Sequence, residues 1–330
     1  MKTRQTTING KKYVYASDSI YISRGVQRRM SKSLGAAEDV SAALQLKQQQ
    51  FLDILIQEEA VQRSRYWSSR ATAEFRKFVN IEKLECLRTE LFRRKENIGG
   101  VGRAALDAAF LVDFIYNSNK IEGSRVPRES IEQIIRDRSH KRNAEVQHTI
   151  RAISLLAEGA FGFSPLNIKR LHTTLMAHEP QHIGFRTSND IVVGNAPVLD
   201  YRMIRKELTA LLAWSKKQNH KLYPLEHAFT FYYRFERIHP FRDGNGRIGR
   251  LLMNEILKVH RYHPMIVWDK RRQAHMHVFE RAMDGSMYQF FKFMAEQFVK
   301  THERYLEKIE KTYNLEEQMD YFLKLAPHNQ

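Results

Sequence analysis

Between Ile238 and Arg250 the sequence reads Ile-His-Pro-Phe-Arg-Asp-Gly-Asn-Gly-Arg-Ile-Gly-Arg, and almost every residue there can do chemistry. Pro240 stops the helix predicted over Leu225–Arg237, so His239 is presented at the mouth of a loop. An imidazole titrates near neutrality, which suits a general base. Gly244-Asn245-Gly246 is a glycine-rich turn opening the next predicted helix. Backbone N–H groups at a helix start, with the positive end of the dipole behind them, bind anions, and glycines let a phosphate approach closely. Arg247 and Arg250 are three residues apart, so they share a helix face and can each fork onto phosphate oxygens. Asp243 offers an oxygen ligand for Mg²⁺ beside those phosphates. A base, a metal ligand, an oxyanion nest and two cationic clamps in one short stretch point to chemistry on a nucleotide polyphosphate.

The elements that must hold this stretch are mostly helical. Residues 8–34 read as a small strand-rich unit, with Tyr13–Tyr15 and Ile20–Ile22 as β-prone runs around a turn-like Ala-Ser-Asp-Ser. From Ala36 to about Lys95 there is neither proline nor glycine, and apolar residues recur at helical spacing. Two long amphipathic helices are expected there, forming either an antiparallel arm or a homodimerisation element. Glu96–Gly100 is the best linker. Beyond it, helices are predicted at about 104–119, 128–140, 143–158, 165–178, 202–218, 224–238, 247–260 and 270–325, with a short strand or hairpin near Ile191–Val193. The fold class is therefore mainly α. Its divisions are 1–35 (strand-rich), 36–99 (helical arm), 100–300 (core) and 301–330 (C-terminal helix).

The 330 residues carry a formal net charge of +17, 42% hydrophobic residues and one cysteine, Cys86. The chain can bury a core, and a single cysteine excludes a disulfide scaffold or a cysteine-based zinc module. No apolar run is long enough for a membrane span, and the first residues lack a signal peptide's apolar stretch, so a cytoplasmic protein is expected. The charge suits a polyphosphate-binding enzyme, and equally a nucleic-acid-binding regulator using basic runs such as residues 136–142. A third reading is an interaction module built on the helices 36–95.

The segment His239–Arg250 resembles the signature of the Fic family, HPFx[D/E]GNGRxxR, at every fixed position. The resemblance extends over roughly residues 100–300 and implies the Fic/Fido helical core with a β-hairpin flap. It implies a protein adenylyltransferase, which transfers AMP from ATP to a Ser, Thr or Tyr hydroxyl of a target protein or of itself. By motif position, His239 would be the base and Asp243 would hold Mg²⁺. Gly244, Asn245, Gly246 and Arg247 would bind phosphate oxygens, Arg250 would take the γ-phosphate, and Phe241 would pack beneath the loop. Ser118-Asn-Lys-Ile-Glu122-Gly123 is similar to the family's inhibitory motif, [S/T]xxxE[G/N]. That likeness implies a pair between Glu122 and Arg250 that keeps ATP in a non-productive pose. In some members the same glutamate supports AMP removal. Gly184–Gly194 resembles the flap, which holds the target's main chain, although Gly184-Phe185-Arg186 is one residue shorter than the usual G-x-x-R. His275 and His277, where the family often has tyrosines, are expected at a pocket rim or surface.

Overall fold

The computed structural model describes residues 2–37, 44–137, 143–158, 161–193, 196–283, 285 and 287–325. Most of the basic run at 136–142 and the end of the flap segment, Gly194, fall outside them.

The chain begins with an antiparallel sheet in the order β1 (Lys2–Ile8), β2 (Lys11–Ser23), β3 (Val26–Ala36). The two β-prone runs form one strand rather than two: Ala16–Ser19 is not a turn but pairs with Lys2 and Thr3 on one side and with Arg29–Lys32 on the other. The reversals fall instead at Asn9-Gly10 and Arg24-Gly25, where both glycines and Asn9 take positive φ. Val14, Ala16 and Ile20 alternate onto one face and pack with Phe51 and Leu55.

The expected pair of long helices is three: α1 (Leu44–Ser68), α2 (Ala73–Phe78) and α3 (Ile81–Asn97). Two caps cut the second one. The Thr72 hydroxyl accepts from the Phe75 N–H at 3.2 Å, and Asn80 Oδ1 accepts from the Lys83 N–H at 3.0 Å. Trp67, Phe75, Leu84 and Leu91 belong to the same buried core as the rest of the molecule, so these helices lie against the body.

The body contains α4 (Gly100–Ile121), α5 (Arg128–Asp137), α6 (Ala144–Ala157), α7 (Pro165–Leu175), α8 (Ile204–Gln218), α9 (Pro224–Ile238), α10 (Asn245–Val259), α11 (Arg272–Met283) and α12 (Met287–Leu325). Gly285, at φ 92°, separates the last two, and α12 runs unbroken across residue 300. A short ribbon pairs β4 (Val192–Val193) with β5 (Ala196–Pro197). Helix α9 is the centre of the body: Leu225, Ala228, Phe229, Phe231, Tyr232 and Phe235 are all fully buried. A helix apolar on nearly every side must be enclosed by others. Its C-terminus and the N-terminus of α10 are thereby fixed, and the chemistry-bearing loop spans them. Among the described residues no helix is long and apolar enough to cross a membrane.

Candidate active site

His239 is the C-cap of α9 and sits in the left-handed region, at φ 46°. That conformation is uncommon for a residue with a Cβ, and the surrounding structure over-determines it. The His239 N–H donates to the Phe235 carbonyl at 3.0 Å. Buried Arg186 grips the turn from the other side, with Nε donating to the His239 carbonyl at 2.8 Å and Nη1 to the Ser188 carbonyl at 2.9 Å. The Arg186 N–H donates to the Pro240 carbonyl at 3.0 Å, and Phe185 bridges Phe241, so the segment leading into the ribbon is stitched to the motif loop.

His239 Nδ1 lies 3.3 Å from the Glu236 carbonyl oxygen. That contact assigns the proton to Nδ1 and leaves Nε2 as the free acceptor. Burial lowers the His239 pKa to about 4, with the Arg186 charge adding to it, so the ring is neutral at pH 7. The near-neutral value expected from sequence is thus displaced downward.

The loop is rigid by construction. Asn245 Oδ1 accepts from the Phe241 N–H and its Nδ2 donates to the Phe241 carbonyl, both at 2.9 Å. Phe241 is fully buried and stacks on His172 with ring centroids 3.7 Å apart, so it does pack beneath the loop. His172 Nε2 lies 2.9 Å from the Asp243 carbonyl oxygen, and burial lowers this imidazole's pKa to about 4, so it donates as a neutral ring. Gly244, at φ 80°, is the N-cap of α10, and a Cβ there would come within 3.0 Å of Met176 Sδ. Asp243 Oδ1 accepts from the Gly244 N–H at 2.6 Å, while Oδ2 accepts from Arg247 Nη2 at 3.1 Å. The other side of Arg247 faces Glu145, 3.7 Å away.

Arg250 is almost fully buried and surrounded by oxygen acceptors. Nε donates to Ser118 Oγ at 3.1 Å and Nη2 to the Ser118 carbonyl at 2.8 Å and Glu122 Oε1 at 2.7 Å, while Nη1 reaches Tyr232 Oη at 3.3 Å. Glu122 caps α4, and Gly123 ends it at φ 100°. Gly246 has a specific reason to be glycine: a Cβ there would lie 2.2 Å from Glu122 Oε1. The Glu122 carboxylate therefore rests on the first turn of α10, in the place where such a helix start would receive an anion.

Some residues of this site escaped the sequence analysis. Tyr232, His172, Glu145 and Glu236 have no place in a linear motif around His239, and Arg186 was given no role beyond the end of the shortened G-x-x-R at the flap. Glu236 is the most unusual. It is buried, Oε1 has no hydrogen-bond partner, and burial together with the nearby Glu122 charge raises its pKa to about 8, against the pull of Arg250. An acid next to Phe235 and three residues before His239 was the available signal. His275 is also not at a rim. It is buried, with Nε2 3.3 Å from Tyr232 Oη and its ring stacked on Tyr232 and Phe293, whereas His277 is exposed. A further set lies at the mouth: ligand atoms of Glu179, His182 and Asp243 fall within 4.8 Å of one another.

Residues 162–257 match the Fic/DOC family. The chain is 28% identical over 239 residues to the protein adenylyltransferase Fic of Drosophila melanogaster, covering 68% of this chain and 48% of that protein. It is 33% identical over 144 residues to the protein of the same name from Drosophila grimshawi, covering 42% of this chain and 29% of that one. The chain thus spans about half the length, or less, of these curated relatives. Among solved structures, a Fic domain-containing signaling protein from Bacteroides thetaiotaomicron aligns with a TM-score of 0.63 at 17% identity, covering 69% of this chain and 97% of that one. Fic-1 from C. elegans (residues 134–508) aligns with a TM-score of 0.61 at 19% identity, covering 81% and 86%. At those identities the likeness is one of fold. The matched segment holds the motif loop and both helices that position it, so the likeness to the Fic/DOC family falls on the candidate site itself.

Proposed function

We propose that this chain is a protein adenylyltransferase that moves AMP from ATP onto a hydroxyl side chain of a protein target or of itself. The observation that carries the reading is Glu122, paired with Arg250 and seated on the first turn of α10, the helix that follows directly from the loop carrying a neutral His239. In this reading His239 Nε2 takes the proton of the attacking hydroxyl as the new oxygen–phosphorus bond forms at the α-phosphorus. The bond from that phosphorus to the bridging oxygen breaks, and pyrophosphate leaves. The backbone N–H groups of Gly244, Asn245 and Gly246 hold phosphate oxygens, and Asn245's side chain keeps the loop in shape for them. Arg247 and Arg250 take the charge of the leaving polyphosphate. Asp243 suits a divalent cation, since its carboxylate is part-exposed beside the loop and its near neighbours Glu179 and His182 also carry donor atoms. Mg²⁺ held there would neutralise charge on the phosphates.

Ser118 and Glu122 are the inhibitory element in this reading. Glu122 occupies both the charge of Arg250 and the anion position above Gly246, so a γ-phosphate would have to displace it. The same carboxylate could orient a water for AMP removal.

The test is incubation of the Glu122→Gly chain with labelled ATP and Mg²⁺, alone and in a cell lysate, with GTP, CTP and UTP as parallel arms. Labelling should exceed that of wild type and fall about 10²–10⁴-fold when His239→Ala is added. Unchanged labelling in the double variant would remove His239 from the role of base. Stronger labelling from another nucleotide would replace ATP as the donor.

A further inference from the structure

We propose that Glu179 and His182 join Asp243 in a three-ligand divalent-cation site that fills before nucleotide arrives and favours a first-row transition ion, with Mn²⁺ as its probe, over Mg²⁺. The inference rests on the proposed function only for the purpose of the ion, not for its binding.

The local backbone explains why two of these side chains converge. Glu179 caps a short 3₁₀ turn, Pro180–His182, that begins on a proline. The Glu179 N–H donates to the Met176 carbonyl at 2.8 Å and the His182 N–H to the Glu179 carbonyl at 3.0 Å, so the turn is tied to the end of α7. In a 3₁₀ turn, residues i and i+3 eclipse one another. Glu179 and His182 are at that spacing, and His182 Nδ1 lies 2.9 Å from Glu179 Oε2. Asp243 reaches the same point from the motif loop, whose carbonyl at that residue is pinned by His172. Two ligands bound at about 2.1 Å to one ion are at most about 4.2 Å apart, so a mutual spread within 4.8 Å needs only small side-chain adjustments.

The donor set decides the kind of ion. Mg²⁺ prefers an all-oxygen shell, usually one or two carboxylates with phosphates and waters. An imidazole among two carboxylates moves preference toward the transition series. The surroundings of Glu179 leave room for a cation, which at Asp243 would share the carboxylate with Arg247. Glu179 is faced by His178 at 3.8 Å and by His182, and among the described residues no Lys or Arg lies within ion-pair distance of it. Arg247 engages only Asp243 of the three, at 3.1 Å from Oδ2. Side-chain exposures of 29% for His182 and 40% each for Glu179 and Asp243 leave coordination positions open for water or phosphate.

The experiment is electron paramagnetic resonance titration of the whole chain with Mn²⁺ and no nucleotide, following loss of the free-ion signal. One Mn²⁺ per chain should bind, Glu179→Gln and His182→Ala should each weaken it at least about tenfold, and Asp243→Asn should abolish it. Electron spin-echo modulation from a directly bound nitrogen should be present in wild type and absent in His182→Ala. Thermal midpoints without metal check that each variant is folded. Absence of Mn²⁺ binding, a nitrogen signal that survives His182→Ala, or displacement of Mn²⁺ by an equal concentration of Mg²⁺ would each overturn the proposal. Mn²⁺ binding in a chain that transfers no AMP would leave this site standing while refuting the proposed function. AMP transfer by a chain whose metal affinity ignores Glu179 and His182 would do the reverse.

Discussion

Among the described residues, two clusters that join buried arginine to carboxylate are built differently. One joins the N-terminal sheet, α1, α3 and the turn after α10. There Glu59 receives Arg88 at 2.6 Å and Arg93 Nε at 3.0 Å, and Glu85 receives Arg63 at 2.6 Å and Tyr262. Backbone carbonyls complete the set: Arg63 donates to Ile22, Arg93 to Ser19 and Arg88 to Arg261. Glu59, Glu85, Arg63 and Arg88 are fully buried. Burial opposes the charge of Glu59, but Arg88 and Arg93 outweigh it and hold the carboxyl below its usual range. The other cluster is Arg250 with Ser118, Glu122 and Tyr232. There the arginine is enclosed, but the carboxylate is 28% exposed and stands at the end of a helix. In the first cluster every member is locked by several elements, so it can only hold the parts together. In the second, the Glu122 carboxylate is part-exposed, which suits the switch proposed for it.

The comparison can be broken most forcefully at Glu59. Glu59→Gln leaves Arg88 and Arg93 without their shared counter-charge, and removing one partner of a buried pair costs about 3–5 kcal/mol. Urea unfolding should show a loss of that size. A loss under about 1 kcal/mol would mean that the cluster is not held as tightly as its contacts indicate.

Glu122→Gln should behave in the opposite way. Arg250 keeps its bonds to Ser118 and Tyr232 and the Glu122 side is part-exposed, so the stability loss should be smaller than that of Glu59→Gln. Self-labelling by ATP should rise about 5–150-fold, the range of a coupling of 1–3 kcal/mol. A large stability loss with no gain in labelling would make Glu122 a structural residue like Glu59.

Glu236 tests the boundary between the two clusters by pH. Its folded pKa of about 8 stands above the ordinary 4.5, so the folded state holds the proton more tightly than the unfolded state. The stability it contributes is complete below about pH 4.5 and is lost as pH rises through 8. Glu236→Gln should therefore lose less thermal stability than wild type between pH 5 and 8. Parallel curves for the two proteins would show that Glu236 is ionised throughout.

The smallest expected effect is on the rate itself. With His239 held near a pKa of 4 by burial, the ring is already neutral at pH 6. Labelling by the Glu122→Gly chain should stay level from pH 8 to 6 and fall only as pH approaches 4. A half-loss near pH 6.5 would place His239 in a wetter setting than the structure gives it.

The linear motif made much of the candidate site legible. Asp243, Gly244, Asn245, Gly246, Arg247 and Arg250 are close in space because they are close in sequence, on a turn and the first turns of one helix. Ser118 and Glu122 were legible too, at i and i+4 beside a helix-ending glycine. Nothing similar marked Arg63, Arg88 and Arg93, which read as the polar stripe of amphipathic helices. The partners of Arg63 sit 22 to 42 residues away and, through Tyr262, 199 residues away, and Arg88 and Arg93 reach partners from 29 to 173 residues away. The break at Thr72 and Asn80 was missed because the apolar spacing continued across two local side-chain caps.

The sequence by itself determined the mainly helical class, the helix–loop–helix that presents His239, and the glycine-rich start of α10. Each of these depends on backbone preferences and spacings within a few residues. Only the tertiary structure decided that Glu122 lies on Gly246, that Arg186 clamps the His239 turn, that Glu236 stays protonated, and that Glu179 and His182 meet Asp243. Those facts depend on which surfaces are packed together, and burial alone sets whether a charge there is neutralised, paired or left free to move.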